Sequence, residues 1–489
     1  MSVPAVCGFL LVLLFLGPVG PTGAAEGGLW RPNLETARGE ARKSDKPLFV
    51  YFDADWCSWC HRYERETLQA PRVRKALRHH TVPVRINWDA RPDLVQRFGG
   101  RGLPFNVVLE PGGSVLRTFT GILSPDDLIA LLQSPGDSRE RSPSGRTLRP
   151  EALDAPAFRA FRDAFLAHLE RLYDPGQSTL VGRFETGAGL KRPQARTWLW
   201  LEAEGLWPDR RSEAARVDAN RLLDRLEGGF FYYVDPHRPD AHVETAKLLE
   251  PNAWLTAWLA GYPGQPRLAA HSGWFFLRDA LWDPAGGFWR GRIADVSYYE
   301  RPASKRLDRP APPVERVKLA GANAEAARAL LRAAERLDRP ELRDYAEDAL
   351  DYVIEAMWQK GRLYHDRRDG SLGSADLPGD LFRVLAVGAI LQQRRPHPQR
   401  GRRLARVAGN AADWLGARME SGKKQPGTEL AGWVALACGH REHFPQLPEG
   451  CQRWALEKLA LRPDTRPDWV VPGLQAWRLR LEQAQGSSP

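Results

Sequence analysis

Two cysteines separated by two residues, Cys57 and Cys60, are the residues of this sequence best suited to chemistry. They follow a β-branched and aromatic run at residues 48–52 and precede a segment of helical pattern that starts at His61. A cysteine at such a junction lies at a helix N-terminus, where unpaired amide groups and the helix dipole favour the thiolate. The second cysteine then lies one turn deeper, where it can resolve a mixed disulfide formed at the first. We therefore expect Cys57 to be a reactive nucleophile, ready to exchange bonds with a visiting chain, and Cys60 to be the resolving thiol.

Two other interpretations of the same segment stay open. Cys57, Cys60 and His61 also match the CxxCH pattern of covalent c-type haem attachment, with His61 as axial ligand. A zinc site would need further ligands, and the candidates are His79 and His80 at the far end of another segment. A histidine pair of this kind is more often a solvated surface feature, so we expect no metal.

The elements around the cysteine pair predict a small α/β domain. After the CxxC segment we predict a strand at 82–86, a helix at 93–98, strands at 105–109 and 115–119, and a closing helix at 125–132. The predicted order is βαβαββα. Pro104 stands at the mouth of a strand, where it cannot donate to the ladder. The Leu103-Pro104 bond is the natural site for a cis peptide that lies against the two sulfurs.

In this order, Trp-Cys-x-x-Cys, Leu-Pro, the glycine-rich hairpin turn and the closing helix resemble the thioredoxin superfamily. Residues 46–77 look like the C-terminal domain of the periplasmic thiol-disulfide interchange transporter and the N-terminal domain of the spermatogenesis-associated thioredoxin-like family. The second family adds CxxCH and Arg-Pro-Asp, which are matched here at Cys60-His61 and at residues 91–93.

The resemblance implies a redox site without a cofactor. Its members here are Trp56, Cys57, Cys60 and Pro104. One position departs from the pattern, because thioredoxins proper carry a buried aspartate six residues before the first cysteine and this chain has Tyr51. Proton transfer to the second thiol must then use another group, such as Asp53, His61 or water.

The remainder of the chain is predicted to be helical. Residues 134–150 are rich in Ser, Pro, Gly and Arg and show no apolar period, which predicts a linker. Loops such as 282–289 and 361–366 recur after helix pairs, which is typical of stacked helical hairpins that close into a toroid. The predicted division is a signal peptide at 1–25, a thioredoxin-like domain at 29–133, the linker at 134–150 and an (α/α) toroid at 151–485.

The loops of the second half also resemble the spermatogenesis-associated thioredoxin-like family. This resemblance implies an (α/α)6 toroid like that of six-hairpin glycosidases and sugar epimerases. A carbohydrate enzyme of this shape needs two carboxylates, or a histidine pair, facing the central cavity. The candidate side chains are Asp235, His242, Glu244, Glu250 and Asp376. The resemblance adds Asn252, Lys318 and Asn323 to the candidate toroid site.

The N-terminus predicts export. An unbroken apolar run at residues 6–17, followed by small residues at 23–25, has the anatomy of a signal peptide. The run is shorter than the about 20 apolar residues that span a bilayer. No Lys or Arg precedes it, so an uncleaved N-terminal anchor is the alternative to cleavage. We expect a periplasmic or otherwise extracytoplasmic protein.

A second cysteine pair fits this compartment. Loss of the segment that contains Cys7 leaves four cysteines, an even number that suits an oxidising environment. Cys438 and Cys451 flank a loop between two helical patterns. We expect a structural disulfide across this hairpin, and two buried thiols packed as small apolar groups are the alternative.

Composition narrows the function further. The chain is 43% hydrophobic and 27% charged, which indicates a folded protein. Its net charge is +10, but the arginines are interleaved with acidic residues, so no nucleic-acid partner is expected. The first hypothesis is an exported thiol-disulfide oxidoreductase that acts on protein thiols and disulfides, with a membrane electron donor and a glycan as further candidate partners. The alternative is a carbohydrate-binding or sugar-converting toroid whose CxxC domain is a structural or redox-sensing attachment.

Overall fold

The computed structural model describes residues 28–136, 147–176, 179–180, 182–183, 189–190, 192–207, 209–235, 242–421, 426–463 and 465–486. The predicted signal peptide and most of the predicted linker lie outside these residues. Within the described ranges, no helix combines the length and the apolar character that crossing a membrane requires.

The first domain is a mixed sheet between two layers of helices. Its elements are α1 (Leu34–Ser44), β1 (Leu48–Asp53), α2 (Ser58–Tyr63), α3 (Pro71–His80), β2 (Val82–Asn87), α4 (Pro92–Phe98), β3 (Phe105–Leu109), β4 (Val115–Thr120) and α5 (Pro125–Gln133). The strand order is β2-β1-β3-β4. The predicted βαβαββα order is confirmed apart from two additional helices, α1 before β1 and α3 between α2 and β2.

The central strand β1 explains the apolar run seen in the sequence. It pairs in parallel with β2 and antiparallel with β3. Leu48, Val50 and Phe52 pack into one apolar cluster, while Phe49 and Tyr51 pack into another on the opposite face. Because both faces are covered, the strand needs no polar alternation. It ends at Asp53, four residues before the first cysteine of the pair.

The second domain is an (α/α) toroid. Its helices are α6 (Ala155–Leu172), α7 (Ala195–Ala203), α8 (Asp209–Asn220), α9 (Leu249–Leu259), α10 (Gln265–Phe276), α11 (Val296–Tyr299), α12 (Ala303–Leu307), α13 (Ala320–Leu337), α14 (Glu341–Ala356), α15 (Pro378–Arg394), α16 (Pro398–Ser421), α17 (Thr428–Cys438), α18 (Cys451–Leu456) and α19 (Pro467–Gly486). In the described part of the chain, α7, α9, α13, α15, α17 and α19 contact one another in sequence and close an inner ring. The outer layer contains α6, α8, α10, α14, α16 and α18.

Short strands lie in the loops that precede the inner helices α7, α9, α13 and α15. They are β5 (Tyr173–Asp174), β6 (Thr179–Leu180), β7 (Gly182–Arg183), β8 (Gly189–Leu190), β9 (Tyr233–Val234), β10 (Val243–Glu244), β11 (Lys247–Leu248), β12 (Gly291–Arg292), β13 (Val314–Glu315), β14 (Val317–Leu319), β15 (Trp358–Gln359), β16 (Arg362–Leu363), β17 (Asp366–Arg368) and β18 (Ser371–Leu372). β11 leads directly into α9, and β14 leads directly into α13. The first domain contacts the toroid through these loops, on the face where the inner helices begin.

Candidate functional site

The two cysteines lie at the start of α2. Cys57 is the N-cap residue, and its Sγ accepts a hydrogen bond of 3.1 Å from the Cys60 amide. The two sulfurs form a disulfide, with the Cα atoms 5.3 Å apart. The CxxC spacing thus places the first sulfur at the helix end and the second within bonding distance, one turn further along.

Trp56 and Leu103, the residue before Pro104, pack in the apolar cluster around this disulfide. The Leu103–Pro104 peptide is cis, and Leu103 packs against the apolar cluster that contains both cysteines. The Trp56 indole donates a 2.7 Å hydrogen bond to Asp89, and its ring meets the edge of Tyr232 from the second domain. The site residues predicted for the first domain are therefore grouped around one disulfide.

The toroid covers the disulfide. Cys57 is 2% exposed and Cys60 is 0% exposed. Ala246, Leu248 and Ala294, all from the second domain, pack in the same apolar cluster as the two cysteines. The expectation of a nucleophile open to a visiting chain is not met in this closed arrangement, because loops some 190 residues away in the sequence lie on the site.

Glu244 makes a direct polar contact between the domains. Its Oε2 accepts a 3.1 Å bond from the Ser58 amide and a 2.7 Å bond from the Ser58 hydroxyl. The side chain is almost completely buried. Burial raises the pKa of Glu244 to about 7, against the opposing effect of the Ser58 hydrogen bonds.

His242 and Asp235 flank Glu244. The His242 Nε2 lies 3.3 Å from the Ser58 hydroxyl, and its ring lies 4.4 Å from the Trp59 ring, centroid to centroid. The Asp235 amide donates a 2.8 Å bond to the His242 carbonyl. The structure thus brings His242 and Glu244, predicted as toroid-site residues, against the CxxC segment. We call residues 242–246 the toroid edge.

Asp89 fastens the first domain to the toroid at a second point. Its carboxylate accepts hydrogen bonds of 2.8 and 3.2 Å from Arg290, and both side chains are largely buried. Burial raises the pKa of Asp89, but the Arg290 charge and the hydrogen bonds from Arg290 and Trp56 together outweigh burial, so the pKa of Asp89 is lowered. The His365 Nε2 donates a 2.6 Å bond to the Asp89 carbonyl. We call Asp89, Arg290 and His365 the Asp89 clamp.

His365 enters this clamp as a cation. Its Nδ1 donates a 2.6 Å bond to Asp380 while its Nε2 bonds the Asp89 carbonyl. Burial opposes protonation, but the Asp380 charge and both hydrogen bonds favour it and raise the pKa of His365 to about 9. Neither Asp89 nor His365 was predicted, since nothing local in the sequence relates two residues so far apart.

A polar group lies behind Cys60, where thioredoxins carry their aspartate. The Tyr51 hydroxyl lies 3.5 Å from the Cys60 carbonyl and 3.5 Å from Glu64. Arg85 bridges Glu64 and Asp53, and burial raises the pKa of Asp53 to about 6 against the effect of Arg85. Asp53 and Arg85 line an open cavity of about 320 Å³.

Asn252, Lys318 and Asn323 hold loops in place. Asn252 accepts from the Phe230 amide and donates to the Phe230 and Leu248 carbonyls. Asn323 repeats this pattern with the Phe288 amide and the Phe288 and Leu319 carbonyls. These hydrogen bonds occupy the side-chain amides of Asn252 and Asn323, so those groups are not available to bind a substrate.

The lysines of these loops are equivalent as well. The Lys318 Nζ lies 2.6 Å from Asp283 and also donates to the Gly286 carbonyl. Lys247, which was not predicted, makes the same contacts with Asp224 and the Gly228 carbonyl. The signal was present in the sequence, because Gly-Gly-Phe occurs at 228–230 and 286–288 and Lys-Leu-x-x-x-Asn at 247–252 and 318–323.

The toroid interior has a charged centre of its own. Glu325 accepts hydrogen bonds from Arg196, Arg383 and the Trp254 indole. Glu250 lies in the first turn of α9 beside this group, and burial together with the Glu325 charge raises the pKa of Glu250 to about 7. Among the predicted carboxylates, Glu250 belongs to this interior.

Asp376, the remaining predicted carboxylate, lies elsewhere. It pairs with Arg362 at 2.7 Å and accepts from the Leu363 amide and the Asn410 side chain. These contacts tie the start of α15 to α16 and the β15–β16 hairpin, away from Glu250. The candidate toroid residues therefore fall into separate groups instead of lining one cavity.

The second cysteine pair lies at a helix turn. Cys438 ends α17, Cys451 begins α18, and the two buried sulfurs form a disulfide with Cα atoms 6.0 Å apart. As for metals, the described residues include no group of three or more His, Cys, Asp or Glu that could hold an ion. The haem alternative meets a packing obstacle, since Ala246, Leu248 and Ala294 occupy the surface of the CxxC cluster.

Comparison with known proteins relates the two domains to different groups. The thioredoxin-like family matches residues 29–111. Spermatogenesis-associated protein 20 of Homo sapiens is 32% identical over 100 residues, which are 19% of this chain and 12% of that protein. Thioredoxin of Allochromatium vinosum is 34% identical over 98 residues, which are 19% of this chain and 85% of the thioredoxin. The chain thus matches only a small part of the first relative.

The toroid has a likeness among solved structures. Cellobiose 2-epimerase from Spirochaeta thermophila is similar with a TM-score of 0.50 and 16% identity, over 69% of this chain and 99% of that one. At this level of identity the likeness shows the fold, a helical (α/α) toroid.

Proposed function

Because the chain belongs to the thioredoxin-like family through its first domain, we propose that it catalyses thiol-disulfide exchange at Cys57 and Cys60. The observation that carries the proposal is the position of Cys57 at the N-cap of α2, bonded to Cys60. The cis Leu103–Pro104 peptide on the same cluster supports it. An aromatic neighbour, Trp56, completes the group.

The exchange has two balanced steps. The reduced Cys57 thiolate attacks a substrate disulfide, so a bond forms between Cys57 and one substrate sulfur while the other substrate sulfur leaves as a thiolate and takes up a proton. Cys60 then loses its proton and attacks the Cys57 sulfur, which releases the second substrate thiol and forms the Cys57–Cys60 disulfide. The reverse sequence oxidises a substrate dithiol.

Exchange with a protein requires the toroid edge to move. Ala246 and Ala294 pack in the same buried cluster as Cys57, and Glu244 accepts the hydrogen bond of the Ser58 amide. A substrate chain that approaches Cys57 beside Pro104 must displace these residues. We therefore propose a gated oxidoreductase, closed in the arrangement described above and active when the first domain separates from the toroid loops.

The test is turnover of a protein disulfide by the full chain. Insulin reduction, driven by dithiothreitol, is expected to be lost in Cys57→Ser. The double variant Cys438→Ser, Cys451→Ser is the matched control, since it removes the other disulfide and leaves the CxxC pair intact. Turnover that survives Cys57→Ser would overturn the proposal. The equilibrium of the CxxC pair with glutathione would establish the direction of electron flow.

We also propose an extracytoplasmic location, with protein thiols and disulfides as substrates and a membrane electron donor as partner. The apolar run at 6–17 and the second disulfide, Cys438–Cys451, support an oxidising compartment. The measurement is the N-terminal sequence of the protein recovered from a secreting host. A mature chain that begins near residue 26 is expected. Recovery of the protein from the cytoplasmic fraction with its N-terminus still at residue 1 would contradict this.

A second function, binding or conversion of a sugar by the toroid, is favoured by one observation. Glu250, a carboxyl with a pKa near 7, stands at the start of an inner helix beside the Glu325 group and the Trp254 ring. Such a carboxyl suits acid-base chemistry, and the similar structure is that of an epimerase. Glycan-array binding that persists in Cys57→Ser, Cys60→Ser and is lost in Glu250→Gln would favour this function.

A further inference from the structure

Glu244 contacts the part of the first domain on which the ionisation of Cys57 depends. Its carboxyl accepts the hydrogen bond of the Ser58 amide, the residue directly after Cys57. It also accepts the Ser58 hydroxyl, so two donors at the start of α2 point at this one side chain. Because Glu244 comes from β10 of the toroid, the second domain supplies the group that occupies this helix end.

The start of a helix normally stabilises a thiolate. Its first amide groups have no partner within the helix, and the helix dipole places partial positive charge there. In this protein the Cys60 amide donates to the Cys57 sulfur, but the Ser58 amide is already committed to Glu244. A carboxylate at that amide also brings a negative charge beside the same sulfur. Two anions at one buried helix end are unfavourable.

We propose that Glu244 is a positioning residue for Cys57, which holds the Ser58 amide in the closed arrangement and thereby opposes formation of the Cys57 thiolate. This inference rests on the proposed thiol-disulfide function. The contact between the domains then has a chemical consequence. When the first domain separates from the toroid edge, the Ser58 amide is released and Cys57 ionises more readily. The resting enzyme is then less reactive toward electrophiles than the opened one.

The surroundings of Glu244 support this role. The charged or titratable groups around it are His242, through the Ser58 hydroxyl, and Tyr233 on the paired strand β9. No lysine or arginine is hydrogen-bonded to Glu244 within the described residues. Burial therefore favours the protonated carboxyl, and after reduction Glu244 and Cys57 compete for one proton.

The free Cys57 thiol beside Glu244 is formed by reduction of the Cys57–Cys60 disulfide. A phosphine breaks the Cys57–Cys60 bond by supplying two electrons, two protons from water complete the two thiols, and the phosphine becomes its oxide. In the closed arrangement, the next proton lost on raising the pH is expected to come from Glu244, and only a later one from Cys57. Coupled acids of this kind titrate in two steps that belong to the pair.

The experiment is a thiolate titration of the full chain in the Cys60→Ser background, which leaves Cys57 as the thiol of the site. Absorbance at 240 nm is followed against pH, with the Cys57→Ser, Cys60→Ser protein subtracted. This readout needs no substrate, so it distinguishes failure of the inference from failure of the proposed function. Glu244→Gln is expected to lower the apparent pKa of Cys57 by about one unit or more.

Two further variants keep the inference testable. Glu66→Gln removes an exposed carboxylate that pairs with Arg62 on the α2 side of the first domain, and it is expected to cause no resolvable shift. Glu244→Asp keeps the charge with a shorter side chain and is expected to return the pKa toward that of the parent, which also serves if Glu244→Gln does not fold. An unchanged or raised Cys57 pKa in Glu244→Gln, or the same shift in Glu66→Gln, would overturn the inference.

Discussion

Asp89→Asn is expected to expose the Cys57–Cys60 disulfide. In the closed arrangement the Asp89 carboxylate holds Arg290, whose side chain is only 7% exposed. Asparagine keeps the size of the side chain but removes its charge, so Arg290 would be left buried without its hydrogen-bonded carboxylate. When the domains separate, Arg290 regains water in both proteins. The substitution therefore acts on the closed arrangement.

The magnitude follows from this loss. Removing one partner of a buried ion pair costs about 3–5 kcal/mol. The Trp56 hydrogen bond to Asp89 lies within the first domain and persists after separation, so it does not contribute to the difference. Since 1.4 kcal/mol corresponds to a factor of ten, the equilibrium for opening is expected to shift by about 100- to 4000-fold.

The assay is the rate at which a phosphine reduces the disulfide of the full chain. Samples are alkylated at intervals, and peptide masses distinguish the Cys57–Cys60 pair from Cys438–Cys451. If reduction requires opening, the rate rises in proportion to the opening equilibrium. Asp126→Asn is the matched control, because Asp126 forms an exposed pair with Arg72 that contributes about 0–1 kcal/mol.

Two results would refute this reasoning. Reduction of Asp89→Asn at the parent rate would mean that the clamp does not control access. A rate that depends on urea as steeply as global unfolding does would mean that the disulfide is reached by unfolding and not by separation of the domains.

Three other outcomes are expected. Closure holds the pKa of Glu244 near 7, above the usual 4.5. The protonated carboxyl therefore stabilises the closed arrangement fully below about pH 4.5, and this stabilisation is lost as the pH rises through 7. The rate of disulfide reduction, normalised to a model disulfide, should rise across this pH range, and the rise should be absent in Glu244→Gln. Asn323→Ala removes three hydrogen bonds to backbone and should lower toroid stability in urea by about 2–4 kcal/mol, with the reduction rate of the CxxC pair unchanged. Replacing Cys438 and Cys451 by serine opens a loop with a separation of 13 and should cost about 3 kcal/mol in the same unfolding measurement, and an unaltered midpoint would contradict the disulfide.

Local pattern was sufficient to predict the first domain. The strand at β1, the CxxC pair at a helix start and Leu103-Pro104 before β3 each depend on residues close together in the chain, and the fold confirms their order. The toroid was predicted in the same way, from helical periodicity and recurring loops. Both depend on periods of apolar residues, which the sequence displays directly.

The closed site could not be predicted in this way. Ser58 and Glu244 are separated by 186 residues, and no local signal links them. The residue type of Glu244 and its place in a toroid loop predict a carboxylate that faces the toroid cavity. Its actual partner is determined by how the two domains pack, which depends on many contacts such as Asp89 with Arg290.

The loop-holding residues are an intermediate case. Asn252, Lys318 and Asn323 were singled out through resemblance, and their contacts are with backbone and with the acid of the same loop. The repeated Lys-Leu-x-x-x-Asn motif places Lys247 and Lys318 at equivalent positions of two hairpins. A residue type that recurs at the same place in successive hairpins indicates a structural requirement of the hairpin more than a unique reactive centre.

The Asp89 clamp has a consequence for the integrity of the molecule after cleavage. Asp89 and Ala90 are bound by residues from separate toroid hairpins, namely Arg290, His365 and Ser374. Cleavage at a protease site engineered between residues 137 and 146 would therefore yield two fragments that remain associated and co-elute in size-exclusion chromatography. Alkali above about pH 9, which discharges His365, would begin to part them.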